Sequence, residues 1–117
     1  MPGLSIHVVD VARGVVAAGM RVEVWGLASA PRVRVADTVV SKSGAVDDPS
    51  LIRRFDAGPY EVLLHVGAFY ARAGFALPEV PFLDVAAFRF GIDDPAQHYH
   101  LPFKLTPWGY SCFRGGA

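Results

Sequence analysis

Only one cysteine, Cys112, occurs among the 117 residues, which excludes an intrachain disulfide framework and any multi-cysteine zinc site. No apolar run approaches the roughly 20 residues that span a bilayer, because Gly, Pro or a charged residue interrupts each one. Neither sign of charge predominates: eleven Lys and Arg stand against eleven Asp and Glu, so no global field draws the chain to nucleic acid or to an anionic membrane. The opening Met1-Pro2-Gly3-Leu4-Ser5-Ile6-His7 has no basic segment followed by an apolar one and does not read as a secretory signal. Phosphate loop, dinucleotide fingerprint, internal repeat and low-complexity tract are all missing. What is there is 52% hydrophobic residues, enough apolar surface for one packed domain over residues 1–117. The expectation is a soluble, cytoplasmic, single globular domain.

Twelve glycines and nine prolines interrupt the chain too often for long helices. Between them lie short runs rich in Val, Phe and Tyr, as strands prefer. Strands are expected over 4–11, 20–27, 32–40, 60–66, 82–90, 98–105 and 109–114, with a polar stretch after the turn at Ser41-Lys42-Ser43-Gly44. Alternation places Arg21 and Glu23 opposite Val22 and Val24, and Arg32, Arg34 and Ala36 opposite Val33 and Val35. One short helix is expected over 67–73, where Ala68-Phe69-Tyr70-Ala71-Arg72 lacks β-branched residues and Gly74 can end it. Seven or eight short strands at this spacing predict an all-β antiparallel sandwich.

Several segments carry a family resemblance. Ile6-His7-Val8-Val9-Asp10-Val11-Ala12-Arg13-Gly14 resembles the opening strand of the enzymatic branch of the transthyretin family, the 5-hydroxyisourate hydrolases. Arg89-Phe90-Gly91-Ile92, His98-Tyr99-His100-Leu101-Pro102 and Pro107-Trp108-Gly109-Tyr110-Ser111 resemble that branch's C-terminal signature. Ala57-Gly58-Pro59-Tyr60-Glu61, His65-Val66-Gly67 and 77–84 agree in order and approximate spacing, so the likeness runs through the whole chain. It implies a transthyretin-like, eight-stranded sandwich with one short helix, assembled as a homotetramer, a dimer of dimers, with active sites in a channel between the dimers. It also implies hydrolysis of the six-membered-ring amide of 5-hydroxyisourate without metal or organic cofactor. The hormone-carrier branch lacks the histidines that this chain keeps.

Amide hydrolysis needs one group to take a proton from water and another to stabilise the oxyanion. Imidazole titrates near neutrality and suits the first task. His7 and His100 match the family's two catalytic histidines. Strand parity agrees for the second: His98, His100, Pro102 and Lys104 alternate with apolar Tyr99, Leu101, Phe103 and Leu105, so His100 is expected on the channel face. His65, inside an apolar run, reads as a structural histidine, and His98 either supports the site or ends the sheet. His98-x-His100 without a third ligand in register is weak grounds for a metal site, and none is expected.

Three departures from the family pattern concern the site. Gly44-Ala45 stands where the resemblance implies Gly-Arg, the arginine being the third catalytic member. Phe113-Arg114-Gly115-Gly116-Ala117 replaces a terminal Tyr-Arg-Gly-Ser, removing two hydroxyls and displacing the terminal carboxylate by one residue. Lys104 replaces an apolar residue and shares the parity of His100. It either supplies the missing cation, without the planar fork of guanidinium, or snorkels to solvent or an acidic partner. Lys104, Arg114, Ser111 and Phe113 are the candidate substrate-binding residues. Two alternatives follow: a substrate with methylated nitrogens, which has fewer N–H groups to pair, or a channel that only binds a small molecule. Trp25, Trp108 and Tyr110 read as packing residues, Asp10 as a backbone brace, and Cys112 as a small core hydrophobe.

Overall fold

The computed structural model describes residues 2–116; the displaced terminal carboxylate on Ala117 lies outside the described residues. Eight strands form two four-stranded sheets. In the first, β2 (Val15–Val16), β1 (Gly3–Asp10), β7 (His98–Thr106) and β8 (Gly109–Cys112) lie side by side in that order. In the second, β4 (Val33–Val39), β3 (Arg21–Gly26), β5 (Gly58–His65) and β6 (Val85–Ile92) do the same. The expected sandwich is therefore present, with one exception to its antiparallel pairing: β1 and β7 run parallel. Parallel neighbours require a long crossover, and here the entire second sheet supplies it.

Alternating side chains build the core. Leu4, Ile6 and Val8 of β1 and Tyr99, Leu101, Phe103 and Leu105 of β7 meet Val22, Val24, Val62 and Leu64 of the second sheet. Helix α1 (Val66–Arg72) closes one end by burying Val66, Phe69 and Tyr70. It stops at Gly74, whose φ of +87° is the left-handed conformation that glycine adopts without a Cβ penalty. Asp10 is fully buried beneath this end, where it accepts from the Tyr70 hydroxyl at 2.5 Å and from Arg13 at 2.6 Å. Burial pushes its carboxyl up, but the hydrogen bonds from Tyr70 and Arg13 outweigh that and hold it below the usual carboxylate range.

The differences from expectation have local causes. A bulge opposite Val24 and Trp25 breaks the alternation of β4, so Ala36 faces the core while Arg34 stays outside opposite Trp25. β6 starts at Val85 instead of Phe82, and Phe82 is exposed. Pro81 cannot donate to a ladder, and the Asp84 carbonyl accepts the Gly67 N–H at 2.8 Å instead. The polar stretch after Gly44 contains a 3₁₀ turn, Pro49–Leu51, capped by the Asp48 carboxylate on Ser50 N–H. Trp108 is not a packing residue within this chain: it is 59% exposed and touches Phe82.

Candidate active site

The parallel register of β1 on β7 assembles the site. Gly3 lies opposite His98, Ser5 opposite His100, His7 opposite Pro102 and Val9 opposite Lys104. Because the apolar residues of both strands point inward, Ser5, His7, Val9, His98, His100, Pro102 and Lys104 share the outer face. Both sequence-predicted catalytic histidines therefore lie on one surface, each half-buried.

His100 is held on several sides. Its Nδ1 lies 2.6 Å from Ser5 Oγ, and the same hydroxyl lies 2.8 Å from His98 Nε2. The chain beyond β8 continues alongside, with Gly115 N–H donating to the His100 carbonyl at 2.7 Å. A Cβ on Gly115 would sit 2.6 Å from His100 Cδ2, so this position requires glycine for a close approach. With Nδ1 engaged, Nε2 is the nitrogen left for chemistry. Burial, and then the neighbouring charges of His98 and His7, lower the His100 pKa from its ordinary value, favouring the neutral base at neutral pH.

His7 is held differently. Its Nε2 lies 3.1 Å from the Ser43 carbonyl. A carbonyl only accepts, so Nε2 carries the proton and the lone pair of the neutral ring is on Nδ1. The 41–44 turn that presents Ser43 bends through Gly44 at φ +89°. Ala45 then forms a backbone bridge with His7, so the position where the resemblance implies an arginine lies opposite that histidine. A cavity of about 470 Å³ opens next to Ala45, lined by Ser5, Val46, Asp47, Asp48, Ile52 and His98 among others, with His7 and His100 outside its lining.

The substrate-binding candidates divide. Lys104 is exposed on the face of His100 and pairs in register with Ser111 of β8. Phe113 is exposed just beyond β8. Arg114 is not brought to this group: its guanidinium lies 4.0 Å from the Tyr99 ring centroid and donates to Gln97 Oε1 and the His98 carbonyl. His65 belongs to the other sheet, where Nε2 meets Glu23 Oε2 at 2.7 Å. Cys112 opposes Phe103 and packs against the core, and burial pushes its thiol up to about 11. Sequence reasoning missed Ser5. The one signal available was its parity with His7, since a polar residue two positions from an outward histidine on a strand shares its face. Among the described residues, no three His, Cys, Asp or Glu side chains are grouped so as to hold a metal ion, and no helix is long and apolar enough to cross a membrane.

The chain is similar to several known proteins. Residues 4–115 match the HIUase/transthyretin family. The chain is 42% identical over 115 residues to the 5-hydroxyisourate hydrolase of Deinococcus radiodurans, covering 97% of this chain and 96% of that one. The structure of Klebsiella pneumoniae 5-hydroxyisourate hydrolase superposes with a TM-score of 0.79 at 29% identity, over 99% of this chain and 100% of that one. The crystal structure of (S)-allantoin synthase superposes with a TM-score of 0.90 at 34% identity over 98% of this chain, which spans 44% of that longer chain.

Proposed function

The chain belongs to the HIUase/transthyretin family, and from that premise we propose that it is a cyclic-amide hydrolase. It opens the six-membered ring of 5-hydroxyisourate, or of an N-substituted form, in urate breakdown in the cytoplasm. The observation that carries this reading is the parallel register that sets His7 and His100 on one outward face. His100 Nε2 takes a proton from water, the resulting hydroxide adds to the ring carbonyl, and the C–N bond breaks as its nitrogen is protonated. General-base assistance of this kind contributes about 10²- to 10⁴-fold. His7, with its proton committed to Ser43, offers Nδ1 to orient the water or the substrate. Lys104 supplies the cation on this face, while Ser111 and Phe113 complete the binding surface.

Ala45 favours the substituted substrate as a second reading, since it removes a cation where the resemblance implies an arginine. The wall around it includes Leu4, Val46 and Ile52, which methyl groups face without losing hydrogen bonds, as well as Asp47 and Asp48, whose carboxylates accept from any N–H that remains. Assembly is part of the proposal. The edge strands β6 and β8 each have a strand neighbour on one side only, and Val85, Tyr110 and Phe113 are exposed on or beside them, as expected of edges that pair between copies in a dimer of dimers. Sedimentation at micromolar concentration checks the tetramer.

The activity test follows ultraviolet decay of freshly generated 5-hydroxyisourate and of its trimethylated analogue against their spontaneous rates. Acceleration of the first supports the family reaction, and acceleration of the second alone supports the substituted substrate. Acceleration of neither by a correctly assembled tetramer overturns the hydrolase reading and leaves the face as a small-molecule binding surface.

A further inference from the structure

The Ser5 hydroxyl is placed between two imidazoles, 2.6 Å from His100 Nδ1 and 2.8 Å from His98 Nε2. A serine hydroxyl has one proton to donate and lone pairs to accept with. It therefore donates to one ring and accepts from the other, and the choice decides what His100 can do. If Ser5 donates to His100, the neutral ring carries its proton on Nε2 and presents a donor to the site. If His100 Nδ1–H donates to Ser5, Nε2 presents a lone pair, and the Ser5 O–H is directed to His98 Nε2.

We propose that Ser5 and His98 form a proton relay behind His100, in which Ser5 fixes the base-competent tautomer and hands on to His98 the proton equivalent that His100 takes from water. As His100 Nε2 accepts the water proton, Nδ1–H passes its proton to Ser5 Oγ, and the Ser5 proton passes to His98 Nε2. The hydroxide adds to the ring carbonyl, His100 is again neutral with its proton on Nε2, and the positive charge is on His98. When the C–N bond breaks, Nε2–H protonates the leaving nitrogen and the row runs in reverse. Water has then delivered its proton to nitrogen and its hydroxide to the acyl carbon, and all three side chains are restored. The positive charge that would otherwise stay on His100 beside His7 then resides on His98, a half-buried ring at the start of β7. Ser5 and His98 are positioning residues in this scheme, because neither needs to touch the substrate.

The inference rests on the hydrolase reading, and two separable measurements test it. Without substrate, ¹⁵N NMR of the neutral wild-type protein is expected to show the proton of both His98 and His100 on Nδ1. Loss of that preference at His100 is expected in Ser5→Ala, and its return in Ser5→Thr, which keeps the hydroxyl. In turnover, Ser5→Ala is expected to lower kcat up to about 100-fold with KM little changed, the size of effect a mispositioned group produces. His98→Ala is expected to lower kcat as well, and the double variant to fall no lower than Ser5→Ala alone, since His98 acts through the hydroxyl. A wild-type His100 with its neutral proton on Nε2, or additive losses in the double variant, overturns the relay. Absence of any turnover by the wild type overturns the hydrolase reading instead, while the tautomer measurement, which needs neither turnover nor a variant, still decides the relay's starting state.

Discussion

Gly115→Ala gives a sharp test of how tightly His100 is held. The added Cβ would lie 2.6 Å from His100 Cδ2 and 3.4 Å from the His100 carbonyl oxygen. Carbon atoms pack comfortably at about 3.5–4.0 Å, so ring and tail must separate by roughly 1 Å. The ring has little freedom to yield, because Nδ1 is anchored 2.6 Å from Ser5 Oγ. The tail can yield only by stretching the 2.7 Å bond from Gly115 N–H to the His100 carbonyl, an interaction whose net worth is about 0.5–1.5 kcal/mol. Misplacing a catalytic group by about 1 Å costs about 10²-fold, equivalent to about 2.7 kcal/mol of barrier. The expected result is a kcat lowered by about that factor, with thermal stability changed little because the tail lies outside the sandwich core. Gly116→Ala is the control, since a Cβ there meets nothing within 4 Å. Steady-state kinetics of the two variants decide the matter: wild-type kcat in Gly115→Ala would refute the claim that this close approach positions the imidazole.

Other consequences can be measured alongside. Gly44→Ala puts a Cβ 2.6 Å from both His7 Nε2 and Val16 Cγ1 at φ +89°, so thermal denaturation should show a loss beyond the roughly 1–2 kcal/mol of left-handed strain. Gly14→Ala, at φ +71° with open space around it, should show the strain alone. The lowered His100 pKa keeps the base neutral to a lower pH, so the acid limb of kcat/KM should lie below the ordinary histidine value of about 6.5, activity falling as pH drops through it. Asp10→Ala should destabilise by about 1.5–3 kcal/mol in urea titration, the worth of a hydrogen bond to a charged group, because the Tyr70 hydroxyl loses its carboxylate partner and keeps the Leu105 carbonyl at 3.1 Å. Because the folded Asp10 carboxyl is held low, its contribution is present above the unfolded value of about 3.9 and is lost as pH falls from there through the folded value. Lys104→Met should lower kcat/KM, and Ala45→Arg in that background should restore part of it if the face needs one cation.

How much of this was legible before the structure depended on the range of the determining interaction. The alternation of β7 was legible because one face of the strand must be apolar, and that was enough to place His100 and Lys104 outside, as the alternation of Ser111 with Cys112 on β8 was enough to turn Cys112 inward. The role of Ser5 was not, because it arises only when residues 93 and 95 positions away are brought opposite by a parallel register. Periodicity within a strand carries no information about its neighbour. Arg114 escaped for a different reason: β8 ends at Cys112, and beyond it the guanidinium follows stacking on Tyr99 instead of strand parity. The bulge in β4 likewise shifts parity midway through a strand whose residues alternate plausibly on paper. Trp108 looked like core by type, yet its place in the turn between β7 and β8 keeps it outside.

The central claim is that His100, held neutral on the shared face with His7, takes the water proton during ring opening. The most direct test compares kcat/KM of the wild type and His100→Ala on whichever of 5-hydroxyisourate and its trimethylated analogue the wild type opens faster. Both proteins are first checked for the same fold by circular dichroism and the same assembly by sedimentation. The account predicts a fall of at least about 10²-fold in the variant, the lower end of general-base assistance. A folded, correctly assembled His100→Ala protein that opens the ring at the wild-type rate would contradict it.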